Sequence, residues 1–497
     1  MMHPRSRTRG LVGGALALTL AAAGATNAAS HLSSPIALTM GLPATAKESQ
    51  ALYDELDYQR ACQAYLWALP IVSVAQFQTE QADVFGATDS DLVVYTSYQD
   101  KLGILTANAT TPYVLGFPNL QRTGPLVIDY PAGATAGGVG IAWQRPLTDV
   151  GQTGPDKGNG AKYLIVGPGQ TPGDTAGYTV VESPTFTITF GTRVLDPDPA
   201  KAKALLEHIK IYPLSARANP PPTRLLSPQG KPWSQVQPRG LDYWKRLHAV
   251  LQVEPVAERD RIMMDMLAPL GIEKGKPFAP DARQTKLLVA GAERGELMAM
   301  NSSFNKRFAG ARYRPDTQWH YVLTFEPGQE PPGSVDLDRR SAWFYEAFGA
   351  TRGMATRVAG VGQAYLGAYH DQHGNWFDGG RQYVLHVPPD PPAKQFWSLT
   401  LYDTRTRSLI DNPQRVGDKS SRMPDLAKNA DGSVDLYMGP TPPKGKEKNW
   451  IPTIPGKAWF AYFRLYAPTE AYLDASWKLP DIEPVSGSVA GWSAPLP

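Results

Sequence analysis

The spacing of apolar residues divides the chain into helical and β-rich stretches. Residues 46–80 carry apolar side chains at intervals of three and four positions, which predicts a helix that ends at Pro70. Residues 90–190 hold short alternating or β-branched runs between Gly- and Pro-rich turns, a texture typical of antiparallel strands. Residues 199–300 return to the helical spacing. We also expect one long helix at 341–365, after which strand patterns resume.

Helices and strands thus arrive in blocks and do not alternate strictly, which indicates an α+β fold. We expect two β-rich domains, antiparallel and sandwich-like or jelly-roll-like, joined by a helical region. The expected divisions are a signal peptide at 1–29, a β-rich domain with a leading helix at 46–195, a helical connection at 196–365 and a second β-rich domain at 366–485.

The first thirty residues have the pattern of a secretory signal peptide. Arg5, Arg7 and Arg9 precede the apolar string LVGGALALTLAAAGA, and small residues follow at 26–29. A membrane-spanning helix needs roughly 20 apolar residues, so an uncleaved anchor is the less favoured interpretation. The arginines are not adjacent, so the twin-arginine pattern is not met. We therefore expect a periplasmic or secreted protein.

The charge balance limits the kinds of partner. The chain has 49 Lys and Arg against 46 Asp and Glu. Three of the arginines lie in the predicted signal peptide, so the remaining charges are balanced. A neutral chain without a basic block lacks the electrostatic footprint of a protein that binds nucleic acid or anionic membranes. We expect a small-molecule or glycan ligand, no nucleic-acid partner and no membrane span.

Searches for established catalytic and cofactor motifs find none. The chain has no P-loop, no G-x-S-x-G elbow, no H-E-x-x-H motif and no glycine-rich dinucleotide loop after a strand. Cys62, the single cysteine, rules out zinc sites built on cysteine pairs and is expected to be buried and inert. His370 and His373 lie near Asp371 and Asp378, but the surrounding glycines favour a polar hairpin loop. We expect no metal site and no cofactor.

Several strings resemble two domain families of unknown function. FWSLTLYD (396–403), NADGSVDLYMGP (429–440), NWIP (449–452) and FRLYAP (463–468) resemble the DUF1214 domain. The upstream strings AYLWALPIV, LTANATTPYVLGF, GPLVIDYP and AKYLIVGPG resemble the DUF1254 domain that usually precedes it. The resemblance implies an exported bacterial protein with two β-rich domains and a helical connection. It brings no established reaction.

One string departs from the DUF1254 pattern. Many members of that family have N-x-D-T-x-Y, whereas this chain has N-A-T-T-P-Y from Asn108 to Tyr113. The carboxylate is absent, so a role of that Asp elsewhere does not transfer to this chain. Asn108 and Tyr113 remain candidate ligand-binding residues.

Two strand patterns near the C-terminus place polar and aromatic side chains on one face. In FWSLTLYD, Phe396, Ser398, Thr400 and Tyr402 alternate with Trp397, Leu399, Leu401 and Asp403. In AWFAYFRLY, Tyr462, Arg464 and Tyr466 share one face. An arginine on such a face is costly unless it meets a carboxylate, a carbonyl or a ligand. Asp403 and Glu470 are the candidate protein partners of Arg464.

We expect these residues to line a cleft between the two domains, where ligands often bind. Asp403, Tyr402, Arg464 and Tyr466 are the candidate catalytic groups. Trp397, Asn449 and Trp450 are candidate substrate-binding residues, because aromatic rings stack on sugars while amides bond hydroxyl groups. The same residues could instead form an inter-domain core. Asp156 and Lys157, in a Gly-rich loop, could likewise reach the cleft or be solvated turn residues.

Three hypotheses about function follow. The first is a hydrolase or lyase of a carbohydrate or other polar substrate, which requires a carboxylate beside a second titratable group in an accessible pocket. The second is a non-catalytic ligand-binding protein, which requires the pocket without that pair. The third is a structural role in the cell envelope, which predicts no cleft and an arginine closed on Asp403.

Overall fold

The computed structural model describes residues 36–326, 328–355 and 357–485, and the structural statements below concern those ranges. The predicted signal peptide at 1–29 lies outside them. The chain divides into two units, of which the first ends at Asp57 and the second begins at Tyr58. The described part of the first unit holds one antiparallel strand pair and the beginning of a long helix, and the second unit holds the other elements.

The helices are α1 Ala46–Phe85, α2 Leu120–Thr123, α3 Pro199–His208, α4 Leu241–Val253, α5 Arg261–Leu267, α6 Ala282–Phe304, α7 Leu337–Glu346, α8 Arg352–Ala355 and α9 Glu470–Leu473. The strands up to the middle of the chain are β1 Leu38–Thr39, β2 Leu42–Pro43, β3 Leu92–Tyr95, β4 Tyr113–Gly116, β5 Leu126–Tyr130, β6 Thr135–Ile141, β7 Pro146–Gly151, β8 Ala161–Val166, β9 Thr179–Glu182, β10 Ile188–Val194, β11 Lys210–Pro213 and β12 Leu225–Leu226. The later strands are β13 His320–Tyr321, β14 Gln363–Ala368, β15 Phe377–Asp378, β16 Tyr383–Val387, β17 Ala393–Asp403, β18 Asp418–Ser420, β19 Val434–Gly439, β20 Trp450–Pro452, β21 Ala458–Pro468 and β22 Glu483–Pro484.

Two facing sheets form the first β-rich region. One has the strand order β12-β3-β4-β10-β6-β7 and the other the order β11-β5-β8-β9. Val114 and Val139 of the first sheet share a buried core with Ile128 and Tyr163 of the second. Most neighbours are antiparallel, but β12 pairs with β3 and β9 with β8 in parallel. The region is therefore a sandwich with a mainly antiparallel ladder.

Two further sheets form the second β-rich region. The larger has the order β13-β14-β21-β17-β18, with β15 also paired to β21, and the smaller the order β20-β19-β16-β22. Leu399 and Phe463 of the larger sheet pack with Leu385 and Leu436 of the smaller one in a second buried core. Every second side chain of these strands points into this core, because successive side chains of a strand point to opposite faces.

The α+β class with two β-rich regions is confirmed. The domain limits stay predictions, and the strands cross them in two places. Strands β11 and β12 lie after residue 195 yet join the sheets of the first region, and β13 and the start of β14 precede residue 366 yet join the second. These strands are placed by pairing with partners distant in the sequence. Strands this short carry too little of the alternating pattern to be assigned to a sheet from the sequence.

The prediction that the first helix ends at Pro70 is wrong, because α1 continues to Phe85. Proline removes one helical hydrogen bond and costs about 3 kcal/mol in a helix interior. Around Pro70 the helix is buried almost all round, with Leu69, Ile71 and Val72 fully enclosed. The packing of these apolar residues offsets the cost, and Gln144 Nε2 donates a hydrogen bond of 2.8 Å to the Pro70 carbonyl.

The prediction of one long helix at 341–365 is also wrong. The helix α7 ends at Glu346, a single turn α8 follows, and Gln363 already begins β14. Gly349 and Gly362 have φ values of 73° and 71°, in the left-handed region that favours glycine and ends helices.

Two further properties concern the described ranges only. None of their helices combines the length and the apolar character that crossing a membrane requires. In the same residues no group of three or more His, Cys, Asp or Glu side chains is placed to hold a metal ion. Cys62 is buried within α1.

Candidate functional site

The larger sheet of the second region has one apolar face and one polar, aromatic face. The register places Arg464 of β21 between Ser398 of β17 and Tyr365 of β14. Tyr402, Tyr462 and Tyr466 occupy equivalent positions on the same face by the period-two alternation of the strands. The alternate residues point the other way into the second core, so the predicted separation of the two faces is what the sheet shows.

A loop of the first β-rich region covers this polar face. Arg464 Nη2 donates to the carbonyl oxygen of Thr106 at 2.7 Å, and the Tyr402 hydroxyl donates to that of Ala107 at 2.7 Å. Thr106 has a φ of 42°, an unfavourable value for a β-branched residue. The strained backbone turns its carbonyl oxygen toward the guanidinium, and both β-rich regions therefore hold Arg464.

The rest of the Arg464 guanidinium is buried without protein partners. The residue is 2% exposed, and within the described residues its Nε and Nη1 make no hydrogen bond of good geometry. Its Cζ lies 5.2 Å from the ring centre of Tyr462 and 5.6 Å from that of Tyr365. The nearby hydroxyl groups of Ser398 and Tyr466 also lack hydrogen-bond partners in this part of the chain. Buried polar groups are normally satisfied, so this cluster needs an explanation.

A cavity of about 120 Å³ opens beside Arg464. Its wall comes from three stretches of sequence: Thr106, Tyr113, Gly138 and Arg193 of the first region, Trp343, Phe348 and Met354 of the helical segment, and Tyr365, Tyr462 and Arg464 of the second region. The cavity is mainly apolar, with guanidinium, phenol and amide groups at defined points, as is usual for small-molecule sites.

Arg193 is a second buried arginine in the same wall. It lies on β10, is 9% exposed, and donates through Nη1 to Gln363 Oε1. Its Cζ is 5.7 Å from the ring centre of Tyr113. Sequence reasoning missed Arg193, although a cation inside the strand pattern TFTITFGTRVL is the same signal that pointed to Arg464.

Asn108 and Tyr113 contact each other but have different roles. The backbone and side-chain nitrogens of Asn108 donate to the Tyr113 hydroxyl at 3.0 and 2.8 Å, and Asn108 Oδ1 accepts from the Thr111 backbone. Tyr113 lines the cavity, whereas Asn108 is fully buried behind it. Asn108 therefore positions Tyr113.

Thr110, the third residue of the N-A-T-T-P-Y string, faces a buried carboxylate. Its hydroxyl donates to Asp418 Oδ2 at 3.1 Å. Burial raises the pKa of Asp418, and burial lowers the pKa of Lys101, which lies close enough to feel its charge, to about 8. A carboxylate at position 110 would therefore meet a second carboxylate in a buried place, an unfavourable contact that threonine avoids.

Of the nine predicted site residues, Arg464 and Tyr113 line the cavity and the other seven do not. Asp403 binds the backbone nitrogen of Arg405 and the Lys457 ammonium group at 3.4 Å, so it does not pair with Arg464. Trp397 stacks on Phe463 in the second core. Asn449 and Trp450 hold neighbouring backbone groups at β19 and β20. Strand alternation turns Asp403 and Trp397 away from the cavity, and Asn449 and Trp450 lie at a different sheet.

The acidic residues near position 150 also accept hydrogen bonds from backbone groups. Asp156 Oδ1 accepts hydrogen bonds from Gly151 N and the Tyr163 hydroxyl at 2.9 and 2.6 Å. Asp149 accepts from the backbone nitrogens of Arg352 and Gly353 and so fixes the segment that carries Met354. Lys157 has a φ of 51° in its turn.

Comparison with protein families agrees with this division of the site. The model of DUF1254, a protein of unknown function, matches residues 92–213, and that of DUF1214, also a protein of unknown function, matches residues 362–470. The chain thus contains a match to each of the two domain models. Tyr113 and Arg193 belong to the DUF1254 match, and Tyr365, Tyr462 and Arg464 to the DUF1214 match.

Similar solved structures extend the comparison. The VPA0106 protein from Vibrio parahaemolyticus covers 86% of this chain and 100% of its own, with a TM-score of 0.54 at 17% identity. A putative uncharacterized protein from Burkholderia cenocepacia covers 88% of this chain and 97% of its own, with a TM-score of 0.41 at 12% identity. Curated proteins give no match. The first likeness shows a shared fold and leaves the activity to be argued from the site.

Proposed function

We propose that this DUF1254 and DUF1214 protein binds a small carboxylate in the cavity beside Arg464. The observation that carries the proposal is the buried guanidinium, which lines the cavity with two nitrogens free of hydrogen bonds. Burying a cation without a partner costs several kcal/mol, and arginine matches the two oxygens of a carboxylate with two parallel hydrogen bonds. A bound carboxylate would satisfy both the charge and the donors.

The tyrosines around the cavity support an anionic ligand. Burial raises the pKa of Tyr462, so its hydroxyl group stays protonated at neutral pH. A protonated phenol donates a hydrogen bond to an anion and does not act as a general base. The Tyr462 hydroxyl has no hydrogen-bond partner of good geometry among the described residues and remains available as such a donor in the cavity wall.

The cavity volume limits the size of the ligand. At about 120 Å³ it is somewhat smaller than the engineered cavity of about 150 Å³ that holds benzene. The ligand that fits this space is therefore compact, close to benzene in size. Aromatic and aliphatic groups such as Trp343 and Phe348 form much of the wall, so a compact organic acid suits it better than a hydroxyl-rich sugar ring.

Among the three hypotheses, the non-catalytic binding protein has the best support. The residues that line the cavity include no Asp or Glu, so the carboxylate pair expected of a glycoside hydrolase is absent from this wall. The presence of the cavity, with Asp403 engaged elsewhere, is the opposite of what a structural role predicts. A hydrolase or lyase would need its acid and base from the substrate or from another site.

Calorimetric titration with butyrate, valerate and benzoate tests the proposal. We expect the wild-type chain to bind at least one of these acids and Arg464→Met to bind it about 10- to 100-fold more weakly, because a charge-assisted hydrogen bond contributes about 1.5–3 kcal/mol. Arg405→Met is the matched control, since Arg405 is exposed and lies outside the cavity. Equal affinities of wild type and Arg464→Met, or no binding of any acid, would reject the proposal.

We also propose that the chain is exported, on the basic start, the short apolar run and the small residues at 26–29. N-terminal sequencing of protein expressed in a Gram-negative host provides the test. A mature protein that begins near residue 30 and fractionates with the periplasm or medium is the expected result. A full-length chain retained in the cytoplasm would contradict export.

A further inference from the structure

We propose that the bound molecule is a compact dicarboxylate, with one carboxylate on Arg464 and the other on Arg193. This inference rests on the proposed carboxylate site and adds the class of its ligand. Both guanidinium groups are buried in the wall of one cavity, and they come from opposite sheets, Arg193 from β10 and Arg464 from β21.

The charge balance of the site calls for two negative charges. Among the described residues, neither Arg193 nor Arg464 has a carboxylate within ion-pair distance. The buried carboxylates nearby do not form ion pairs with either arginine: Glu346 is 3.1 Å from the Lys306 ammonium group, and Asp418 accepts from Thr110 and feels the charges of both Lys101 and Arg464. Two buried cations without ion-pair partners are unfavourable in a protein interior, and a dianion would compensate both.

The spacing of the arginines suits a short spacer. Gln363 Oε1 accepts hydrogen bonds from both Arg193 and the Tyr365 hydroxyl, the latter at 2.9 Å, and the Tyr365 ring centre lies 5.6 Å from Arg464 Cζ. The side chains of Gln363 and Tyr365 therefore connect the two cations along the wall. A chain of a few carbon atoms between two carboxylates spans such a gap.

The composition of the cavity wall fits an apolar spacer. Trp343, Phe348 and Met354 line the cavity together with other apolar residues. Methylene groups gain from burial against such a surface, whereas hydroxyl groups would lose hydrogen bonds to water. The middle of the ligand is therefore hydrocarbon, and its polar groups lie at the ends.

A second, more polar cavity of about 70 Å³ adjoins the first at Arg193. Arg193 and Met354 line both cavities, and the side chains of Gln152 and Gln395 line the second. Gln395 Nε2 donates to Gln152 Oε1 at 3.4 Å, which joins the two β-rich regions at this place. Arg193 thus lies at the polar end of the site and Arg464 at its inner end.

Paired titrations test the inference. We compare succinate, glutarate and adipate with butyrate, valerate and caproate, which match them in chain length. The expected result is that the wild type binds the best diacid at least about tenfold more tightly than its monoacid, as one additional charged hydrogen bond implies. Arg193→Met should lose this preference while it keeps the monoacid affinity, and Arg464→Met should weaken both classes.

The outcomes separate this inference from the proposed function. Monoacid binding that depends on Arg464, with no preference for diacids or a preference unchanged in Arg193→Met, overturns the dicarboxylate while the carboxylate site stands. No binding of either class overturns both. Arg193→Lys keeps the charge without the planar fork and should retain part of the diacid preference, which a purely structural effect of the methionine would not predict. Circular dichroism of each variant checks that the fold is retained.

Discussion

Replacing Lys306 with methionine should lower the free energy of unfolding by about 3–5 kcal/mol, which is the usual cost of breaking a buried ion pair by removing one partner. The side chains of Lys306 and Glu346 are 0% exposed, with Nζ and Oε1 3.1 Å apart. The Tyr369 hydroxyl accepts from Lys306 at 2.8 Å and donates to Glu346 at 2.8 Å. Without the ammonium group, Glu346 keeps its burial and loses its counter-charge. Guanidinium chloride unfolding followed by tryptophan fluorescence measures the change.

The double variant Lys306→Met with Glu346→Leu is the control for this loss. It removes both charges, so the unpaired carboxylate that destabilises the single variant is gone and part of the stability should return. Burial lowers the pKa of Lys306 and raises that of Glu346, and the charge of each partner opposes these shifts. A single variant that loses less than about 1 kcal/mol would contradict a paired, charged state.

A large effect of pH on stability is expected from His320. Burial lowers the pKa of this imidazole to about 3, and the nearby charges of Lys306 and Arg312 and the ring of His370 act in the same direction. The folded chain therefore holds His320 neutral, while the unfolded chain binds a proton below about pH 6.5. This contribution to stability is complete above that pH and is lost progressively as the pH falls towards 3. At pH 5 the loss is about 2 kcal/mol, at 1.36 kcal/mol for each pH unit.

The variant His320→Phe isolates this contribution. Other titrating groups are common to both proteins, so the difference in unfolding free energy between wild type and variant should be constant at pH 8 and above. It should then shift in favour of the variant by about 2 kcal/mol at pH 5. His370, whose pKa burial lowers to about 4, adds a loss of similar size and the same sign at pH 5 in both proteins. A difference that does not change with pH would show that His320 takes up its proton in the folded state.

Parts of this site could be predicted from the sequence because strand alternation is a local property. The period of two in FWSLTLYD and AWFAYFRLY is enough to place Arg464, Tyr462 and Tyr402 on one face, and the two strands are in register in the larger sheet. The same alternation turns Trp397 to the other face. The prediction that Trp397 binds the ligand therefore disagreed with the pattern itself. Residues at the same end of two strands can thus have unrelated surroundings.

The other parts depend on contacts between distant residues. No local signal joins Thr106 to Arg464, which is 358 positions away, or Gln144 to Pro70 across 74 positions. Asp403 was a candidate carboxylate partner of Arg464, but the register places it opposite Trp459 near the strand end, where it contacts Lys457. Which face of a sheet is covered, and by what, is decided by tertiary packing.

The way the loop at Thr106 and Ala107 covers the larger sheet has a consequence for how such genes can be rearranged. The carbonyl oxygens of this loop come from the DUF1254 match and satisfy Arg464 and Tyr402 of the DUF1214 match. A DUF1214 module expressed by itself would expose a charged, phenol-rich surface whose hydrogen-bond donors have lost their acceptors. The two modules are therefore expected to stay together in one gene, and mutations that split the coding sequence between them should be selected against.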